Sequence, residues 1–207
     1  MRGANGRMTA RLPLFPLKTV LFPGGRLPLR IFEQRYIAMA KACLSDDQAF
    51  GVCCITQGAE VAQAAARDAL PEFASIGTLA TLHGWDMPQL GILHVTAVGG
   101  ARFRVRSHAV QPDGLIVGDT VSIATEPPVV LDDADRPLGR LLELLAARVG
   151  PQHFPEDRAF DDASWVSYRL AELLPLPLSI KQDMLEINDA KVRLAVLQRF
   201  LKQHGLL

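Results

Sequence analysis

The chain has 207 residues, and its 22 Lys+Arg balance 22 Asp+Glu, so the formal net charge is zero. Hydrophobic residues make up 49% and charged residues 21%, a mix that can bury a core and excludes wholesale disorder. The length fits one large domain or two small ones. The charge balance argues against a surface built throughout for nucleic acid or anionic membrane.

Residues 1–10 lack periodicity and read as a loose tail. The next stretch is dense in Pro, Leu and Phe; proline excludes helix interiors, so short extended pieces joined by turns are expected. Strands are placed at Lys18 to Phe22 and Leu27 to Phe32, around a turn at Pro23-Gly24-Gly25. Tyr36, Ile37, Ala40, Cys43 and Leu44 recur at helical spacing, which predicts a helix from Glu33 to Leu44 ended by Ser45-Asp46-Asp47. Phe50 to Thr56 has the length and apolar content of a buried strand. Gln57 to Pro71 stays open between helix and hairpin.

Further strands follow at Ser75 to His83 and Gly91 to Val98, with Gly84 to Pro88 as a turn and Gly99-Gly100 as a break. Ala101 to Ser107 alternates, which puts Arg102, Arg104 and Arg106 on one face and Phe103 and Val105 on the other. Leu115 to Ala124 closes a set of about six strands, the pattern of a small, mostly antiparallel barrel or sandwich.

After Pro127-Pro128 the period changes to helical. Leu138, Leu141, Leu142, Leu145 and Val149 form one stripe, stopped by Gly150-Pro151. Trp165, Val166, Leu170, Leu173 and Leu174 form a second, with Asp161-Asp162 as caps. Ser179 and Gln182 have capping-box spacing before a helix to about Ile187. Asn188-Asp189 can cap a last helix that turns Leu194, Leu197 and Leu201 inward and ends before Gly205.

No catalytic constellation emerges. The sequence has no G-x-x-x-x-G-K-[ST], G-x-G-x-x-G, H-E-x-x-H or G-x-S-x-G. The five histidines, His83, His94, His108, His153 and His204, fall at no metal-ligand spacing, so no metal or cofactor is expected. Asp132-Asp133 and Asp161-Asp162 read as helix caps rather than acid–base pairs. Cys43, Cys53 and Cys54 include no C-x-x-C pair and read as buried, inert thiols. The longest stretch free of Asp, Glu, Lys and Arg, Met87 to Ala101, is shorter than the ~20 apolar residues of a membrane span. Pro13, Pro16 and Lys18 interrupt the apolar run that a signal peptide would need after Arg2 and Arg7. A cytoplasmic location follows as the expectation.

Two local features draw a binding reading. The zero net charge is a cancellation: residues 1–40 carry seven basic groups and one acidic, and residues 41–100 carry two basic and six acidic. The basic segment also holds Phe15, Phe22 and Pro23 in turn-prone chain, beside Arg30, Glu33, Arg35 and Tyr36. Apolar residues rimmed by charge mark interaction surfaces. Arg102, Arg104 and Arg106, stacked at period two, offer an alternative phosphate-holding face, or a face kept soluble by charge.

An ordered set of motifs then becomes recognisable. Leu12–Leu17 (LPLFPL), Val20–Gly25 (VLFPGG), Leu27–Glu33 (LPLRIFE) and Arg35-Tyr36 come first. Phe50-Gly51-Val52, Ile76-Gly77-Thr78 and Gly100–Val105 (GARFRV) follow, and then Leu170–Pro175 (LAELLP), Gln182–Glu186 (QDMLE) and Arg193–Leu197 (RLAVL). Over roughly residues 11–205 the set resembles the N-terminal, substrate-binding domain of the Lon protease family. The resemblance implies an α+β fold: a PUA-like β-barrel of about six strands with one helix over 11–130, then a helical bundle over 131–207 packed against it. It implies a stand-alone domain without ATPase or protease modules, since neither a P-loop nor a Ser-Lys dyad context is present. The expected function is non-catalytic binding of unfolded or degradation-bound polypeptide, with a protease or chaperone as further partner. The resemblance defines no catalytic residue, and the binding residues expected from motif position are Phe15, Phe22, Pro23, Arg30, Glu33, Arg35 and Tyr36. The rival expectations are an RNA-binding module using the three arginines and a small-molecule enzyme with a pocket between the halves.

Overall fold

Two prolines decide where the first strand can pair. β1 (Thr9–Leu17) runs unbroken through Pro13 and Pro16 in the computed structural model, which describes residues 9–58, 71–150, 154 and 158–206. β1 pairs with β6 (Ile116–Ser122) from Thr9 to Leu14 and with β3 (Phe50–Gln57) from Leu14 to Leu17. Each proline therefore has a ladder partner on one side only, where its missing N–H costs least. This corrects two expectations: β1 is one strand rather than short pieces, and Lys18 to Phe22 is not a strand. That segment is irregular chain, tied down where the buried Thr78 hydroxyl donates to the Leu21 carbonyl at 2.6 Å.

Phe22-Pro23-Gly24-Gly25 then forms a tight turn, closed by the Gly25 N–H on the Phe22 carbonyl, with Gly24 at φ 72°. Proline second and a positive-φ glycine third is the type II arrangement. It leads into β2 (Arg26–Ile31) and α1 (Gln34–Asp46), whose buried side is Tyr36, Ile37, Met39, Ala40 and Cys43.

β4 (Glu72–Gln89) and β5 (Ile92–Val110) are long partners, and the sheet order is β2-β5-β4-β3-β1-β6 with β5 also paired to β6. The second pairing closes β5, β4, β3, β1 and β6 into a ring, with β2 added at the edge on β5. All pairs are antiparallel except β1 with β3. Gly84 to Pro88 lies within β4 rather than in a turn, and Gly99-Gly100 does not interrupt β5. Gly99 is there for close approach: its N–H donates to Gly25 and its carbonyl accepts from Gly24, and a Cβ would collide with the Phe22 carbonyl.

Both faces of the ring are packed. Phe15, Phe50, Val52, Leu93 and Val95 share one face with α1. The alternate residues Leu14, Cys53 and Ile116 surround Phe103 on the other. A Cβ on Gly51 would sit 2.5 Å from the Phe103 ring and 2.8 Å from Leu14, so this face admits no larger residue there. All three cysteines are free and buried, and burial pushes the Cys53 thiol up to about 12.

The chain divides into two units, Met1–Ala124 and Thr125–Leu207. The second contains α2 (Arg136–Val149), α3 (Ala163–Leu173), α4 (Leu178–Glu186) and α5 (Ala190–Gln203), with α3 packed against the other three. Asp162 caps α3 through the Trp165 N–H, and Asp189 caps α5 through the N–H groups of Lys191 and Val192. Asp132 accepts from the Asp135 N–H at the start of α2 and pairs with Lys191 at 2.8 Å. The Ser179–Gln182 capping box does not form: α4 starts at Leu178 after Pro177, and Gln182 donates instead to Glu186.

A buried ion pair begins this unit. Arg193, fully buried, meets both Glu126 carboxylate oxygens at 2.6 Å, donates to Ser164, Ser167 and the Ile187 carbonyl, and stacks over Tyr168 at 4.0 Å. The tail (1–8), the ambiguous segment (59–70), Pro151 and His153 lie outside the described residues.

Two stability predictions follow from these packings. Gly51→Val should lower the unfolding free energy by about 3 kcal/mol or prevent folding, because neither Phe103 nor Leu14 can move away; a urea titration followed by circular dichroism reads it. Glu172 pairs with Arg169 at 3.0 Å, and burial, the larger influence, raises its pKa from 4.5 to about 7. The folded state then holds a proton that the unfolded state has released, so stability should fall as pH rises from 4.5 to about 7. Glu172→Gln should flatten that slope, as read from chemical denaturation across the same pH range.

Candidate functional site

The structure brings Phe15, Glu33, Arg35 and Tyr36 of the N-terminal segment together, but the aromatic rings lie inside rather than on a surface. Phe15, Phe22 and Tyr36 are core residues: Phe22 is fully buried, and Phe15 stacks on Tyr36 with ring centroids 4.1 Å apart. Their exposure was the premise of the surface reading, and the hydrophobic effect has taken them inside instead. Burial also pushes the Tyr36 hydroxyl up to about 12. Pro23 is half-buried in the turn against β5.

Glu33 and Arg35 form a structural clamp. The Arg35 guanidinium pairs with Glu33 at 2.8 Å, donates to the Gly114 carbonyl at 2.8 Å, and stands 4.6 Å over the Tyr36 ring. The start of α1 is thereby tied to the loop between β5 and β6. Arg30 is exposed, but on the opposite face of β2 from Leu29 and Ile31. Its register partner is His94, itself opposite Asp86, so the three form a polar row across the outer sheet.

The three arginines do not share a free face. Arg102 is buried, at 5% exposure, while Arg104 and Arg106 are exposed. A register shift between Val105 and Ser107 also breaks the period at Arg106. Period two holds only along a regular ladder, and the irregularity ends it. The remaining histidines are dispersed as well: His83 lies near Thr81, and His108 packs on Phe73. Among the described residues no cluster of His, Cys, Asp and Glu could hold a metal ion.

What the fold does assemble is a groove of about 310 Å³ at the other end of α1, lined by Lys41, Leu44, Ser45, Trp85, Met87 and Leu93. The volume is at the small end of the roughly 300–1,000 Å³ of ligand sites. Lys41, Leu44 and Ser45 fall at i, i+3 and i+4 and so share one side of α1. Trp85 and Met87 come from β4 just beyond a bulge, and Leu93 from β5. Trp85 is 64% exposed, and Leu90, in the connection between the two strands, is 94% exposed. A large apolar side chain left in water at a concavity, as Trp85 is, marks an interaction site rather than a core. Leu44 lies nine residues beyond Arg35, roughly 14 Å along the helix, so groove and clamp are separate features.

Sequence reasoning missed the groove because its residues come from segments far apart, one of them read as a turn. A tryptophan within that supposed turn was the available signal. Phe22→Ala should cost about 3–5 kcal/mol, whereas Trp85→Ala should stay within about 0.5 kcal/mol of the parent; paired thermal melts distinguish core from surface directly.

Comparison with known proteins places the chain. The family model of the ATP-dependent protease La (LON) substrate-binding domain matches residues 11–203. Lon protease 2 of Myxococcus xanthus is 39% identical over 205 residues, 93% of this chain, and the chain spans 23% of that relative's length. The crystal structure of a Lon N-terminal domain protein from Xanthomonas campestris superposes with a TM-score of 0.74 at 32% identity, covering 92% of this chain and 98% of that one. The N-terminal domain of a Mycobacterium avium complex Lon protease has a TM-score of 0.63 at 17% identity, covering 94% of this chain and all of that one, a likeness of fold.

Proposed function

Because the chain belongs to the family of Lon substrate-binding domains, we infer that it recognises polypeptide, holding apolar segments of unfolded chains in the groove between α1 and the β4–β5 hairpin. The substrates of a protease are polypeptides, and a substrate-binding domain of that family meets them before any bond is cut. The observation that carries the reading here is Trp85, exposed beside Leu44, Met87 and Leu93 in a concavity that none of the described residues of its own unit fills. Unfolded chains differ from folded ones in the large apolar side chains they present, and burying one such side chain in an apolar groove contributes about 1.5–3 kcal/mol.

The role is non-catalytic. The sequence carries no phosphate-binding loop, and the described residues of the groove offer a lysine and one hydroxyl among apolar side chains, with no acid–base pair or activated nucleophile among them. The protein then acts as an adaptor, presenting bound segments to a protease or chaperone.

Fluorescence anisotropy of a labelled apolar peptide tests the assignment. Trp85→Ala, which leaves the core intact, should weaken binding about tenfold or more, as loss of a central aromatic anchor does. Unchanged affinity in that variant, or absence of peptide binding by the parent, would remove the groove as the site.

A further inference from the structure

The groove is not uniformly apolar, and the one charge among its described lining residues gives it a preference. Leu44, Trp85, Met87 and Leu93 form the apolar wall, while Lys41 and Ser45 supply an ammonium and a hydroxyl on the helix side. Lys41 is exposed and forms no ion pair among the described residues. Acidic groups nearby do not belong to the lining. Asp86 lies opposite His94 on the other face of the sheet, and Asp46 and Asp47 stand at the C-terminal end of α1, past Ser45. Among the described residues the lining therefore carries one cation and no anion.

We propose that the groove selects polypeptide segments in which a large apolar residue lies beside a carboxylate, the apolar residue packing on Trp85 and Met87 and the carboxylate meeting Lys41. This rests on the polypeptide-binding reading above and adds the chemistry of the segment chosen. Asp46, Asp47 and the negative end of the α1 dipole repel an acid at the far end of the groove. The favourable place for the carboxylate is thus at Lys41. Exposed ion pairs of this kind change affinity by about two- to fivefold, and salt screens them.

The test measures three peptides that share one tryptophan-centred apolar core and differ in the neighbouring residue, Asp, Asn or Lys, against the parent, Lys41→Ala, Lys41→Glu and Trp85→Ala. The Asp peptide should bind the parent about two- to fivefold more tightly than the Asn peptide, with the difference lost in Lys41→Ala and at high salt. In Lys41→Glu the order should invert in favour of the Lys peptide. Equal binding of all three peptides to the parent, with all three weakened by Trp85→Ala, overturns the charge preference and leaves the polypeptide reading standing. Absent or Trp85-independent binding overturns both. Sedimentation of the protein alone covers the remaining occupant: self-association that disappears in Trp85→Ala assigns the groove to a second copy of the chain and overturns the proposal.

Discussion

The Phe103 ring has room on its face of the barrel only because two neighbouring strands carry no side chain beneath it. Added Cβ atoms on Gly51 and Gly77 would lie 2.5 Å and 2.8 Å from its Cζ. The register of three strands depends on this fit, since Gly77 is the direct partner of both Cys53 and Phe103. A slip by one residue would bring Val52 or Thr78 under the ring. Thr78 in turn holds the Leu21 carbonyl, and Gly99 receives the Pro23-Gly24 turn, so the irregular chain between β1 and β2 rests on the same strands. Phe50-Gly51-Val52, Ile76-Gly77-Thr78 and Gly100–Val105 are thus three views of one packing constraint. None of these residues lines the groove.

The helical unit is organised by charge instead. A fully buried guanidinium is tolerable only when its donors are met, and Arg193 finds a carboxylate, two serine hydroxyls and a carbonyl. Tyr168 and Ser164 complete the shell by donating to Glu126. Glu126 stands ten residues before α2, so the network draws non-helical chain into the helix core and fixes where the unit begins. Such a network defines one arrangement more sharply than an apolar contact would, because an alternative packing leaves charges unpaired.

Much of this architecture was legible in the sequence, and the misreadings share a cause. Helical stripes such as Leu194, Leu197 and Leu201, and caps such as Asp162 and Asp189, are local patterns with local causes. Pro13, Pro16, Gly99 and Gly100 were read as breakers because their tertiary partners were not visible; each proline sits where one ladder side is vacant, and Gly99 where another backbone crosses. Ser179 and Gln182 had the spacing of a capping box, but Pro177 set the helix start earlier. Composition alone cannot distinguish an apolar residue under a helix from one in water, so the N-terminal aromatics suggest a surface in the sequence and lie in the core of the fold. The groove, with residues from α1 and from both strands of a long hairpin, had no local signature apart from Trp85.

The pairing of β1 with β6 carries a temporal consequence. Thr9 lies against Val121, so the ring is shut by its first and last strands. During synthesis the first strand emerges more than a hundred residues before its partner, and at ~5–20 residues per second that interval lasts roughly 5–20 seconds. Until then β1 is an open edge rich in Leu and Phe, a template for misassociation. Pro13, which lies in the stretch that later pairs with β6, deprives that waiting edge of a donor, so the nascent chain carries its own guard against premature partners.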